Sequence, residues 1–173
     1  MRTTQAAAGS AVFLVIAPGT VAGLAPWWLT GWHQGTPYPV ALRGGGAVLL
    51  ATGALVLLHA FVRFAVEGTG TPAPAAPTQR LVIGGLYRYV RNPMYVAVLA
   101  VIAGQALLLS RPVLLSYAAA AGAAMAAFAR WHEEPILARR YGAQYEAYRR
   151  EVPAWLPRRP RGGSKRHDDP GSR

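Results

Sequence analysis

Two long stretches almost free of charge, Ala6 to Leu29 and Gly44 to Val66, restrict this chain more than any other feature it carries. A bilayer core of about 30 Å takes roughly 20 apolar residues to cross as a helix. Inside it every backbone N–H and C=O needs an internal partner, so segments of this length must be helical. Two further apolar segments, Met94 to Leu109 and Pro112 to Phe128, are shorter, and little more than Ser110-Arg111-Pro112 joins them. About sixteen residues rise roughly 24 Å, so they must fold back as a tight antiparallel hairpin that is thinned or partly embedded. The fold expected is all-α: a polytopic integral membrane bundle of about four transmembrane helices.

Composition agrees once it is read locally. Hydrophobic residues make up 53% and charged residues 14%, while a Pro/Gly loop and a basic tail dilute the mean hydropathy to +0.21. Pro18 and Pro26 should kink or fray the first span, since each removes a backbone donor. A signal peptide is the competing reading of that segment, but Pro26 follows Ala25 and only Arg2 stands in the n-region, so a retained helix is expected. With both termini in the cytoplasm, only Arg43 and Arg111 of the 18 Lys+Arg lie on the far side, a strong positive-inside bias. The net charge of +11 therefore needs no nucleic-acid partner, and no aromatic residues interleave with the basic residues of the tail. Membrane lipids are the partner this charge implies.

Several chemistries are excluded or unsupported. Without cysteine there is no disulfide, thiolate nucleophile or thiolate metal ligand. His33, His59, His132 and His167 fall in four different segments, so no metal site is supported. Gly44-Gly-Gly46 lacks the strand and lysine of a phosphate loop and reads as the start of a helix. Glu67 to Pro77 is a linker by its Pro and Gly content. Residues 158 to 173 read as a disordered basic tail, leaving 1 to 157 as one domain.

Chemistry concentrates in Gly85-Leu-Tyr-Arg-Tyr-Val-Arg-Asn-Pro-Met-Tyr95 and in Trp131-His-Glu-Glu-Pro135. Pro93 can open the third helix at no cost in hydrogen bonds, which places Asn92 at its N-cap. If the hairpin is antiparallel, the end of the fourth span returns Glu133 and Glu134 to Asn92 and Tyr95. Carboxylates at a membrane border must be paired or bound to something positive. The bland alternative is a salt bridge to Arg88, Arg91 or Arg130; the functional one is recognition of a cationic or polyhydroxylated cofactor. Beyond Pro135, Tyr141, Tyr145 and Tyr148 share one face of an amphipathic cytoplasmic helix that Gly142 is placed to split.

These elements resemble the isoprenylcysteine carboxyl methyltransferase family and its bacterial relatives, which include phospholipid methyltransferases. The likeness rests on Gly84 to Tyr95, Glu133-Glu134, the Tyr-Gly-x-x-Tyr-x-x-Tyr run at 141 to 148, and Val152-Pro-Ala-Trp-Leu-Pro157. It covers residues 79 to 157, with no specific match in the first two spans. The resemblance implies S-adenosylmethionine as cofactor, bound near the cytoplasmic face of a bacterial plasma membrane. It implies a cradle of Gln79, Arg80, Leu81, Val82, Tyr87, Asn92, Pro93, Met94, Tyr95 and Glu133, with Asn92, Arg130 and Glu134 serving catalysis. Asn92 stands where the family often has histidine, and Leu86 where many relatives have proline.

Losing that histidine is chemically tolerable. Methyl transfer from a sulfonium is an in-line displacement, so a carboxylate or thiolate acceptor needs alignment and desolvation rather than a base. An amine acceptor would need one, with Glu134 or His132 as candidates. The reading is a methyltransferase acting on a lipophilic acceptor that arrives laterally from the bilayer. An NADPH-dependent membrane reductase, needing Arg88 and Arg91 for phosphate, and a non-catalytic membrane protein are the alternatives.

Overall fold

The computed structural model describes residues 16–67, 81 and 83–158, and among them all regular structure is helical. The chain is helical from residue 16 and passes through a π-turn, Thr20–Leu24, into α1, Ala25–Thr30. A loop leads to α2, Val40–Glu67, a helix of 28 residues and so about 42 Å long. After the 3-10 turn Gly85–Arg88 come α3, Pro93–Leu108, and α4, Val113–Phe128. A second π-turn, Ala129–Glu133, carries α4 directly into α5, Glu134–Tyr141. Then α6, Ala143–Glu151, follows Gly142, whose φ of 51° and ψ of −127° suit a residue without a side chain.

Residues 40–62 and 113–141 are long and apolar enough to cross a membrane. Of their apolar windows only 28% and 11% respectively are buried, whereas a core helix of a soluble protein is mostly buried. The exposed residues include Val48, Leu55, Leu58, Val62, Leu115 and Phe128. Apolar exposure of this extent along two long helices fits contact with lipid. Exposed Trp27, Trp28 and Trp32 ring one end and exposed Trp131 marks the other, the depths at which indoles settle at a bilayer border. The protein is a helical membrane protein. α3 has only 16 residues, the short third segment expected, and residues 6–15 of the expected first span lie outside the described residues.

Close backbone approach holds α2 against α3. A Cβ on Gly104 would stand 2.6 Å from Leu50 N and 2.8 Å from Gly46 O, and one on Gly46 would stand 2.6 Å from Leu108 N. Gly53 meets Ala97 and Val101 further along, which sets an antiparallel register. Gly46 is thus a buried contact within a helix that already began at Val40, not its start as the sequence had indicated. Around this seam Leu57, Phe61, Ala97, Val98, Ile102, Ala106 and Leu114 form the core, with Ile102 and Leu114 fully buried.

Both π-turns precede a proline, and the reason is shared. Proline has no N–H and its ring crowds the carbonyl one turn back, so the ladder widens: Ala25 N–H reaches Thr20 O just before Pro26, and Glu134 N–H reaches Ala129 O just before Pro135. In the first case Pro26 leaves Ala22 O without its donor and the shift of Ala25 N–H to Thr20 O leaves Val21 O without its own; these carbonyls accept from Gln105 Nε2 at 2.6 Å and Tyr117 OH at 2.8 Å. Side chains of α3 and α4 therefore replace the missing donor and tie the first segment to the hairpin. The second π-turn moves the acidic pair from the end of a span, where the sequence placed it, into an unbroken helical run of 29 residues, 113–141.

Candidate functional site

Ser110, Arg111 and Pro112 turn the chain between α3 and α4, so the start of α3 and the end of α4 lie at the same end of the bundle. There Tyr95 OH donates to Glu133 Oε1 at 2.7 Å. One residue on, Glu134 Oε1 accepts from Arg91 Nη1 at 2.8 Å, while its Oε2 lies 3.6 Å from Arg130 and 3.8 Å from Arg149. Neighbouring positions on a helix point about 100° apart, so the two carboxylates reach different partners. The salt-bridge reading holds for Glu134. Glu133 takes part in no ion pair among the described residues, and its second oxygen has no partner there.

Residues 152–158 form a strap over the corner that opens α3. Arg91 N–H donates to Pro153 O at 2.8 Å, Asn92 N–H to Ala154 O at 3.2 Å, and Arg158 N–H to Tyr89 O at 3.0 Å. Proline enforces the extended path: Val152, just before Pro153, has φ −111° and ψ 123°, and α6 ends there. The strap presents Trp155 to Tyr95, their rings 6.2 Å apart and inclined by 20°.

Pro93 opens α3 as expected and Asn92 occupies its N-cap position. The Asn92 side chain caps nothing, however; its amide Nδ2 donates to Ala154 O at 3.2 Å. The reason is local: φ −117° and ψ 55° at Asn92 aim the side chain at the strap rather than at the first turn. Arg130, 66% exposed, reaches outward from the π-turn. Met94 packs partly against the core, Pro93 is buried and Leu81 half-buried. Gln79, Arg80 and Val82 lie outside the described residues. His132 is exposed, its ring 4.8 Å from that of Phe128.

The tyrosine face read from the run after Pro135 is broken at Gly142. Tyr145 is buried and Tyr148 half-buried on α6, whereas Tyr141 ends α5. Tyr148 OH donates to Tyr87 O at 2.7 Å, and Tyr145 OH accepts from Arg91 Nη1 at 3.2 Å. Burial pushes the Tyr148 phenol well up, with Arg91 opposing and Tyr145 adding to it. Burial, then Tyr148, Glu133 and Tyr95, do the same for Tyr87. Both phenols stay protonated and neutral at neutral pH. Trp155, Tyr148 and Arg91 are not among the site residues expected from the sequence; their signals there are the Val-Pro-Ala-Trp-Leu-Pro run for Trp155, the tyrosine run for Tyr148 and the salt-bridge alternative for Arg91.

No curated protein and no solved structure matches the chain. The family model for phospholipid methyltransferase matches residues 42–144. That match begins in α2, where motif comparison had found no likeness, and takes in the α3 corner, the hairpin and both glutamates, stopping just short of Tyr145. Covering more than half of the 173 residues, it shows that this chain belongs to the phospholipid methyltransferase family of membrane methyltransferases.

Proposed function

We propose that the chain transfers a methyl group from S-adenosylmethionine to a lipophilic acceptor at the membrane face where α3 begins. The observation that carries this reading is Glu133: Tyr95 fixes one oxygen, the other has no partner among the described residues, and Tyr87 lies close enough for the carboxylate to raise its phenol, while Trp155 stacks on Tyr95. A half-buried carboxylate among aromatic rings fits a small cation, because ring faces and carboxylate both attract positive charge. The donor carries an ammonium and a sulfonium, and when bound it supplies an activated methyl group. Glu133 would hold the ammonium or ribose, Tyr87 and Tyr95 would pack on the donor, and the corner from Asn92 to Tyr95, with residues 79–82, would complete the cradle.

Asn92 acts by position. Its amide is spent on Ala154 O, which fixes the strap bearing Trp155. Both oxygens of Glu134 face guanidinium groups, so Glu134 serves the site as an anchor. A carboxylate or thiolate acceptor needs no proton removed and is served by alignment and exclusion of water; exposed Arg130 would orient such an anion. By the positive-inside distribution this face is cytoplasmic. The reductase alternative loses support, because Arg91, one of its two phosphate-binding candidates, is engaged by Glu134, Tyr145 and Val152 O.

Calorimetry of the purified protein with S-adenosylmethionine and with NADPH tests the reading. Binding of the first only is expected. Glu133→Gln should weaken it by roughly ten- to a hundredfold, the worth of a charged hydrogen bond of about 1.5–3 kcal/mol. Donor affinity unchanged in that variant would remove Glu133 from the site.

A further inference from the structure

Two consecutive carboxylates at one site pose a question of selection. Glu134 is surrounded by Arg91, Arg130 and Arg149, while among the described residues Glu133 accepts one hydrogen bond, from Tyr95, and faces no guanidinium group. A cation approaching this pair is repelled by three guanidinium groups on one side and admitted on the other. What fixes the assignment is the rotation of the helix at 133–134, and that helix cannot fix it alone. The π-turn Ala129–Glu133 interrupts the regular ladder just there, and Pro135 supplies no donor after it. An outside anchor is needed, and Arg91 is built as one. Its Nη1 donates to Glu134 Oε1 at 2.8 Å and to Tyr145 OH at 3.2 Å, and its Nε donates to Val152 O at 3.0 Å. One side chain, 13% exposed, thus joins the α3 corner, the acidic helix, α6 and the strap.

We propose that Arg91 is the positioning residue of this site: by seizing Glu134 it sets the phase of the helix so that Glu133 faces Tyr95 and remains the carboxylate open to a cationic ligand. Arg91 and Tyr95 flank the Asn92-Pro93 corner, so the Arg91–Glu134 and Tyr95–Glu133 bonds are two rungs between the same two elements. Displacing the first rung displaces the second. That the ligand is the methyl donor rests on the function proposed above; that Arg91 sets the Tyr95–Glu133 contact does not.

Two double-mutant cycles on the full chain in detergent separate these claims. Arg91→Lys keeps the charge but lacks the fork that reaches Glu134, Tyr145 and Val152 O together. For S-adenosylmethionine binding by calorimetry, Arg91→Lys should weaken affinity about tenfold in the wild-type background and less than about twofold beside Glu133→Gln. Equal losses in both backgrounds, or no loss in either, would overturn the proposal. The second cycle needs no donor: thermal midpoints of Arg91→Lys, Tyr95→Phe and the pair should be non-additive, the double variant losing less than the sum. Additive shifts reject Arg91 as the positioning residue even if the donor binds. Non-additive shifts in a protein that binds no S-adenosylmethionine uphold it and reject the donor reading alone.

Discussion

Replacing Gly104 by alanine adds one methyl group where the structure has no room for it. The new Cβ would lie 2.6 Å from Leu50 N and 2.8 Å from both Leu50 Cα and Gly46 O, all backbone atoms of α2. Ordinary contact for carbon begins near about 3.5 Å, so α2 and α3 would have to part by somewhat under about 1 Å. No side chain can rotate away to spare them. Overpacking of this kind costs about 1–3 kcal/mol; a loss of about 2 kcal/mol lowers a thermal midpoint by roughly 4–8 °C in a chain of this size. Gly45→Ala is the matched control, because its Cβ meets nothing within 4 Å. In a helix interior that change is neutral or gains up to about 1 kcal/mol. Thermal unfolding of both variants in one detergent, followed by circular dichroism, should therefore move the midpoint down for Gly104→Ala and leave or raise it for Gly45→Ala. Equal midpoints would show that the α2–α3 seam is not held by backbone contact.

Gln105→Leu should destabilise by about 1–3 kcal/mol, since Ala22 O loses its donor in a water-poor setting; restoring a backbone donor with Pro26→Ala should shrink that cost, and an unchanged cost would refute the compensation. Truncation after Glu151 should abolish donor binding by removing the strap, while truncation after Arg158, which keeps the bond to Tyr89 O, should leave it intact; calorimetry decides. Because Tyr87 and Tyr148 ionise later in the folded protein than in the unfolded chain, stability present below about pH 10 should fall as pH rises through and beyond that value. Absorbance of phenolate should show these two tyrosines ionising only with unfolding, and reversible early titration would contradict their burial.

What the sequence determined by itself follows from the solvent it implies. Apolar runs of those lengths admit only helices in a bilayer, Ser110-Arg111-Pro112 admits only a reversal, and Pro93 admits only a helix start; together these bring Tyr95 and the glutamates to one end before any coordinate is seen. Which faces pack was not legible, because α2 and α3 are apolar nearly all round and carry no polar stripe to mark the lipid side. Backbone sterics at Gly46 and Gly104 chose instead. Nor does the sequence say which of two adjacent glutamates is paired. Their directions differ by the phase of one helical turn, and that phase is set by a π-turn, a proline and an arginine whose partners lie 43, 54 and 61 residues away. The partner of the Asn92 amide is hidden for the same reason: the N-cap position is local and legible, but the strap that takes the amide arrives from the far end of the domain and is visible only once the chain has closed.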